Sequence, residues 1–198
     1  MPVYNKENTP EFEQQPNDVY LVLIPQILSG NENAFLKLYN IISPLLYGIC
    51  IKYTKNGDDA NDVFQIAMTN LYLKLETFND TGLFIGWARK LFTNNCIDYL
   101  RQQKRQGFAD LPDELGGEPP KAVSESILTE QELLKIIQKL STNHRIHVVL
   151  FFIEGYKQAE IAKMLLSTEA AVKATINRAK TILAKYIIEE GGMHNCYT

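Results

Sequence analysis

Between Phe84 and Arg105 the sequence places several cations and an amide along one side of a predicted helix. At about 100° per residue, that side collects Lys90, Asn94, Asp98, Arg101, Lys104 and Arg105. Cations in a row with an amide among them suit contacts with phosphate groups and base edges. A solvated helix face that adds only solubility has the same pattern, so charge alone leaves both interpretations open.

The opposite side of this predicted helix is apolar. Its residues are Ile85, Ala88, Leu91, Phe92, Cys96, Tyr99 and Leu100. A stripe of this width predicts packing against a core, so the helix belongs to a folded domain that holds the polar side outward.

The charge of the chain is unevenly distributed. The net charge is −3 over 198 residues, which by itself argues against DNA binding. However, residues 87–105 carry five cations and one acid, and residues 157–185 carry six cations and two acids, so each segment has a local charge of +4. Residues 106–134 carry one cation and seven acids, a charge of −6. This distribution favours two nucleic-acid contacts joined by a linker with little affinity for DNA.

The second basic segment has the dimensions of a helix-turn-helix: residues 154–162 are followed by a short gap and then by residues 172–179. The second helix has a predicted buried stripe of Val172, Ile176, Ala179 and Leu183, and it leaves Ala170, Lys173, Ala174, Asn177, Arg178 and Thr181 outward. Small and polar residues near its start let a helix enter the major groove, where Lys173, Asn177 and Arg178 can reach bases or phosphates. An ordinary helical hairpin is the alternative.

Periodicity predicts an all-α chain of two small helical domains and no strand. The predicted helices are 17–28 with Asn17 as cap and Gly30 closing it, 32–53, 58–78 capped by Asp58 or Asp59, 84–105, a periodic segment at 127–140, 143–155, 158–165 and 168–188. The predicted organisation is a mobile tail at 1–16, a helical bundle at 17–106, a flexible acidic linker at 107–125, a helix-turn-helix domain at 126–190 and a tail at 191–198.

Several motifs of the first domain carry a family resemblance. They are Asp58-Asp-Ala-Asn-Asp-Val-Phe-Gln65, Leu71-Tyr-Leu-Lys-Leu75, Trp87, Asn94 and Asp98-Tyr-Leu-Arg101. Together they resemble region two of bacterial sigma factors, most closely the extracytoplasmic-function (ECF) type. In that family the region grips the clamp of RNA polymerase and captures the unwound upstream promoter element.

The resemblance implies two sets of site residues in the first domain. The implied polymerase contacts are Asp58, Asp59, Asp62, Val63 and Gln65. The implied contacts with the proximal promoter element are Asn79, Asp80, Trp87, Lys90, Asn94, Asp98, Arg101, Lys104 and Arg105. For Trp87 itself, stacking on an unpaired base and half-buried packing are both open, and packing is favoured.

The second basic segment is similar to region four of the same family. The matching positions are Arg145, 154–155, 160–162, 172–173 and 178–179. In the family this region reads the distal promoter element and touches the polymerase flap. The implied DNA contacts are Lys157, Thr168, Glu169, Ala170, Lys173, Ala174, Asn177, Arg178 and Lys180. The chain departs from the family at Leu166-Ser167, where Gly then Ile is usual, and at Ala171, where Thr is usual; a left-handed Leu166 costs about 1 kcal/mol.

The resemblance implies an ECF-type sigma factor that binds core RNA polymerase, directs it to promoters and assists melting in transcription initiation. The implied partners are core RNA polymerase and promoter DNA, both duplex and unwound single strand, with an anti-sigma factor as a further candidate. The alternatives are a stand-alone helix-turn-helix regulator and a helical interaction module without a DNA role. No phosphate loop, GxSxG or HExxH motif occurs, so we expect neither an enzyme nor a cofactor.

Other residues have less specific patterns. His144 and His147 could pair on a metal but lack further ligands, so they are expected at the surface, and no metal is expected. Asp58, Asp59 and Asp62 suit a helix N-terminus better than a calcium loop. The three cysteines fit reduced thiols in a cytoplasmic protein. The apolar run at 21–24 is too short to span a bilayer, so no membrane insertion is expected.

Overall fold

The computed structural model describes residues 17–79, 83–105 and 129–194. These residues form α1 Asn17–Leu28, α2 Glu32–Tyr53, α3 Gly57–Lys74, a 3₁₀ turn Leu75–Thr77, α4 Phe84–Arg105, α5 Glu130–Lys139, α6 Thr142–Val148, a π-helical segment Val149–Ile153, α7 Gln158–Met164 and α8 Glu169–His194. The described residues contain no strand, and the predicted all-α fold is confirmed.

The helices pack into two compact units. The first unit comprises the chain up to Cys50 together with Ala60–Cys96, and the second comprises Ile51–Asp59 together with the chain from Ile97 onward. The predicted linker at 107–125 and the predicted tail at 1–16 lie outside the described residues. The predicted domain limits therefore stay predictions.

The first unit has a core built from helix faces of three- and four-residue spacing. The buried residues are Ala34, Leu38, Ile42, Leu46 and Ile49 of α2, Val63, Phe64, Ala67 and Leu71 of α3, and Phe84, Ala88, Phe92 and Cys96 of α4. By length and composition alone α2 could cross a membrane. Its regular buried stripe is that of a core helix in a helical bundle.

Two reduced cysteines meet inside this core. The Sγ atoms of Cys50 on α2 and Cys96 on α4 lie 4.0 Å apart, and both residues are fully buried. They behave here as small apolar side chains that fill the core.

The helix ends of the first half of the chain differ from two predictions. Asn17 does not use its side chain on its own helix; its Oδ1 accepts from the backbone N–H of Phe84, the first residue of α4, at 3.1 Å. The cap of α3 is Asn56, whose Oδ1 accepts from the Asp59 N–H at 2.8 Å, so Asp58 and Asp59 lie in the first turn. Gly30 closes α1 as predicted, with φ of 90°.

In the second unit α8 packs against α5, α6 and α7. A capping box starts α5: Thr129 accepts from the Glu132 N–H, and the Glu132 carboxylate accepts from the Thr129 N–H at 2.7 Å. The predicted helix at 143–155 is instead α6 followed by the π-helical segment, which gives way to Gly155 at φ of 75°. Helix α8 continues to His194, beyond its predicted end at Ile188.

Candidate nucleic-acid interface

The polar side of α4 is open to solvent along most of its length. Lys90, Asn94, Asp98 and Arg105 are exposed, and Arg101 is half-buried. The Arg101 Nη1 donates to the Asp98 Oδ1 at 3.0 Å, and the Arg101 Nη2 donates to the Met164 carbonyl, so Asp98 is paired with a cation of the same face and the Arg101 guanidinium is bonded within the chain. Pairing of Asp98 reduces its repulsion of a phosphate. Of the Lys104 side chain the structure gives no description.

The apolar side of α4 is broader than the sequence predicts. Ala88, Leu91, Phe92, Cys96 and Leu100 are buried as expected, Ile85 and Tyr99 are half-buried, and Phe84, Thr93 and Ile97 are buried in addition. The helix is therefore fixed by a wide contact surface that leaves only the polar stripe outward.

An aromatic cluster packs around the N-terminal end of α4. The Trp87 ring centroid lies 5.5 Å from that of Phe78 and 5.7 Å from that of Phe84, and Trp87 is half-buried. Phe84 also packs on Tyr20 at 4.9 Å. Trp87 thus has the packing role favoured above, and the exposed Asn79 follows directly after the cluster. Asp80, the other predicted residue of this connection, lies outside the described residues.

The predicted polymerase contacts on α3 divide into two groups. Asp58, Asp62 and Gln65 are exposed on the first turns of the helix. Val63 has no exposed surface and belongs to the core, so its side chain is unavailable to a partner. Its spacing from the buried Ala60 and Ala67 is that of the core stripe.

Asp59 is half-buried and bonded within its own unit. Its Oδ1 accepts from the Tyr99 hydroxyl at 3.0 Å and from the Gln103 Nε2 at 3.2 Å. Its Oδ2 accepts from the Asn56 Nδ2 at 3.1 Å. These partners are missed by sequence reasoning because Tyr99 is 40 residues away along the chain.

The helix-turn-helix of α7 and α8 has a well-defined turn. Leu166 has φ of 51°, its N–H donates to the Lys163 carbonyl at 3.3 Å, and the Ser167 N–H donates to the Ala162 carbonyl at 2.9 Å. This pair of bonds is a Schellman motif, with Leu166 where glycine is usual. Thr168 then caps α8, since its Oγ1 accepts from the Ala171 N–H at 3.2 Å.

The first turns of α8 present the predicted DNA contacts together. Thr168, Glu169, Ala170, Lys173, Ala174, Asn177, Arg178 and Lys180 are all exposed, as is Lys157 before α7. Val172, Ile176 and Ala179 are buried on the other side of α8, and Ile182 joins them where Leu183 is only half-buried. The exposed face therefore has small residues between cations and an amide, which suits insertion into a groove.

The histidines of α6 have different environments. His147 is 6% exposed, and its Nδ1 donates to the Asn143 carbonyl at 2.7 Å; the prediction that both histidines lie at the surface is wrong for His147. Burial lowers the pKa of His147 and outweighs the Asn143 bond, which raises it. Within the described part of the chain, no three His, Cys, Asp or Glu residues cluster as metal ligands.

Arg145, a residue of the region-four resemblance, is also buried. It is 1% exposed, and its Nη2 donates to the Thr142 Oγ1 at 3.1 Å while its Nη1 donates to the Gln138 carbonyl at 3.4 Å. These hydrogen bonds offset part of the cost of burying a guanidinium. Arg145 therefore ties α6 to the end of α5 and contributes nothing to the exposed basic face.

Comparison with known proteins gives matches for both halves of the chain. The family model for Sigma-70 region 2 matches residues 38–106, and the model for Sigma-70, region 4 matches residues 130–183. The ECF RNA polymerase sigma factor SigW of Bacillus subtilis is 25% identical over 178 residues, with 83% of this chain and 94% of the relative covered. The ECF RNA polymerase sigma factor SigM of Mycobacterium tuberculosis is 27% identical over 165 residues, with 83% of each chain covered.

A solved structure is similar in fold. The sigma factor RpoE from Bartonella quintana, in its complex with the anti-sigma factor NepR, matches with a TM-score of 0.50 and 19% identity over 77% of this chain and 96% of that one. The two family models occur in the expected order and together cover more than half of the chain. The chain therefore belongs to the sigma-70 family as an RNA polymerase sigma factor of the ECF group, and a stand-alone helix-turn-helix regulator is disfavoured.

Proposed function

We propose that this chain binds core RNA polymerase, directs it to specific promoters and assists their melting. The observation that carries the proposal is the presence of an exposed cationic helix face in each of the two matched sigma regions, on α4 and on α8. One nucleic-acid face would suffice for a simple regulator. Two such faces, each backed by a buried stripe, suit a protein that holds two promoter elements.

Core polymerase is bound through the exposed first turns of α3. Asp58, Asp62 and Gln65 offer two carboxylates and an amide there, without the buried Val63. Exposed carboxylates steer association with a basic partner surface and add specificity more than affinity. The acidic turn also keeps DNA away from this part of α3.

The distal promoter element is read by α8. Ala170 and Ala174 leave room for close approach to the duplex, while Lys173, Asn177 and Arg178 reach out from the same exposed face. An asparagine can pair with adenine and an arginine with guanine or phosphate. The turn closed by Leu166 sets the angle at which α7 supports α8.

The proximal element is held by α4 once its strands separate. Lys90 and Arg105 supply exposed charge for the backbone of the strand, and the Asn94 amide can read a base edge that has left the stack. Asn79, at the start of the connection before α4, is the other amide within this proposed site. Capture of an unpaired base stabilises the open promoter without nucleotide hydrolysis, so the chain acts as a binding protein with no catalytic step.

The cellular location that we propose for the chain follows from its proposed partners. Core polymerase and promoter DNA are cytoplasmic in bacteria, so the chain acts in the cytoplasm. An anti-sigma protein is a further proposed partner, in line with the complex in which the similar RpoE fold was solved. Such a protein would block one of the faces described above.

The test is reconstitution. The full chain is mixed with core polymerase from its own source and with genomic DNA, and transcript starts are mapped. We expect new starts that share two short upstream elements and that depend on the chain. If the chain binds specific duplex DNA equally well without polymerase and creates no new starts, the stand-alone regulator is the correct function.

A further inference from the structure

We propose that Asp59 is a positioning residue that fixes the C-terminal turns of α4, and not a polymerase contact. The inference deepens the proposed function and rests on it, since the value of the positioning lies in the promoter contact of Arg105. It separates Asp59 from its exposed neighbours Asp58 and Asp62, with which the motif groups it.

The carboxylate of Asp59 is the centre of a closed hydrogen-bond network. Its Oδ1 accepts from the Tyr99 hydroxyl at 3.0 Å and from the Gln103 Nε2 at 3.2 Å, and the same Gln103 Nε2 lies 2.9 Å from the Tyr99 hydroxyl oxygen. Asn56 completes the network, since its Nδ2 donates to the Asp59 Oδ2 and its Oδ1 accepts from the Asp59 N–H. The helix cap of α3 and two successive turns of α4 are thus bonded to one side chain.

This bonding leaves little of Asp59 for another protein. Three donors already point at its two oxygens, and hydrogen bonds to an ionised acceptor are stronger than neutral ones. Asp59 is half-buried, whereas Asp58 and Asp62 are exposed. A partner protein that bound the Asp59 carboxylate directly would have to displace these hydrogen bonds, whereas the exposed carboxylates of Asp58 and Asp62 are accessible without that cost.

The network acts on the part of α4 that carries cations. Tyr99 and Gln103 lie one turn apart near the end of α4, and Arg105 follows two residues later, so a tie at 99 and 103 fixes the backbone that presents the exposed Arg105. Helix ends fray because their last carbonyls lack intrahelical partners. Asp59 opposes fraying in the last turns of α4 and so keeps Arg105 in place for a phosphate.

The experiment uses the full chain assembled with core polymerase. Tyr99→Phe removes the hydroxyl that donates to Asp59 and keeps the ring. Asp59→Asn keeps one side-chain oxygen as an acceptor, but its NH2 group then faces the Asn56 Nδ2, which is also a donor. We expect each to weaken promoter binding by the holoenzyme about threefold to tenfold, the range of one or two hydrogen bonds, with core affinity unchanged. The double variant should lose no more than the worse single variant, because both act through one network.

Two controls separate positioning from general loss of stability. Tyr39→Phe removes an exposed hydroxyl from α2 and should change neither affinity. Asp58→Asn should weaken core binding. Amide hydrogen exchange in the Tyr99→Phe variant should rise in the last turn of α4, at 101–105, and stay unchanged in the core of α2.

Three results would overturn the inference. In the first, Asp59→Asn weakens core binding as Asp58→Asn does while Tyr99→Phe has no effect, which makes Asp59 a direct contact. In the second, promoter and core affinities fall together, which makes the network merely structural. In the third, exchange at 101–105 does not change. Failure of the proposed function is distinct, because then the unmodified chain itself neither binds core polymerase nor creates transcript starts.

Discussion

The Nδ1 atom of His147 lies 2.7 Å from the carbonyl oxygen of Asn143, one turn earlier on α6. The distance identifies Nδ1 as the nitrogen that carries the proton, and the ring is buried with no more than 6% of the residue exposed. Burial lowers the pKa of His147, the Asn143 bond raises it, and the nearby His144 lowers it, with a net decrease. The folded second unit therefore favours neutral His147.

Stability of the second unit should fall in mild acid. Because the pKa of His147 is lower in the folded chain than its ordinary value near 6.5, the unfolded chain binds more protons as pH drops, and the free energy of unfolding decreases. The stabilisation is complete above about pH 6.5 and is lost as pH falls toward the folded-state pKa. Urea unfolding followed between pH 5 and pH 8 measures this slope. His147→Gln, which retains a donor for Asn143, should flatten it, and an unchanged slope would contradict the assignment.

Leu166→Gly should stabilise the helix-turn-helix. Leu166 has φ of 51°, a conformation that costs a leucine about 1 kcal/mol and costs glycine little. The side chain is 85% exposed, so its removal loses almost no buried apolar surface. Relief of this strain should raise the free energy of unfolding by about 1 kcal/mol. The greater conformational entropy of glycine in the unfolded chain offsets part of that gain. Leu166→Ala is the matched control, which shortens the side chain without relieving φ and should give no gain.

Helix positions were largely predictable because they depend on residues three and four apart. The predicted bounds of α1, α2 and α4 agree with the structure, and Gly30 closes α1 as predicted. Periodicity also predicted the face that α8 buries through Val172, Ile176 and Ala179. Each of these features is encoded within one or two helical turns.

Two of the differences from prediction concern contacts between residues far apart in the chain. The Asn17 side chain bonds Phe84, 67 residues later, which no local pattern encodes. Asp59 meets Tyr99 for the same reason. Val63 was a different error: the family motif suggested a contact, although its spacing from Ala60 and Ala67 already indicated the core. The burial of His147 depends on how α6 packs, and the sequence carries no distinct sign of it.

Asp62→Lys should weaken binding to core polymerase. The residue is exposed on α3, so the substitution reverses a surface charge without disturbing the core. The introduced lysine would be repelled by a basic surface on the polymerase. We expect a decrease of about tenfold in core affinity at low salt, smaller at high salt because exposed charges are screened. Glu76→Lys makes the same charge change at another exposed position and should have much less effect. Equal effects of the two would mean that net charge alone matters.

Lys173→Ala and Arg178→Ala should each weaken binding to a duplex that carries the distal element. Each side chain is exposed on the outward face of α8. A variant that loses one phosphate contact should also lower the slope of log affinity against log salt by about one. Lys135→Ala removes an exposed cation from α5 and should leave the slope unchanged. If all three variants behave alike, α8 does not read the duplex.

Asn79→Ala combined with Asn94→Ala should impair promoter melting while leaving polymerase binding intact. Both amides are exposed, so their loss should not unfold the first unit. Extrusion of a base from the stack costs a few kcal/mol, and hydrogen bonds from the two amides to the extruded base offset part of that cost. Permanganate reactivity of thymines measures opening directly. A promoter supplied with a preformed bubble should restore most transcription, and normal melting of duplex DNA by the double variant would refute the proposed role of the two amides.

The Cys50 and Cys96 thiols offer a chemical measure of how often the first unit opens. Both are fully buried, 4.0 Å apart between α2 and α4, so an alkylating reagent reaches them only when these helices separate. With Cys196→Ser removing the third thiol, the alkylation rate in native buffer gives the free energy of that opening. Polymerase that binds the closed unit will slow the modification, so alkylation also reports complex formation without any attached label.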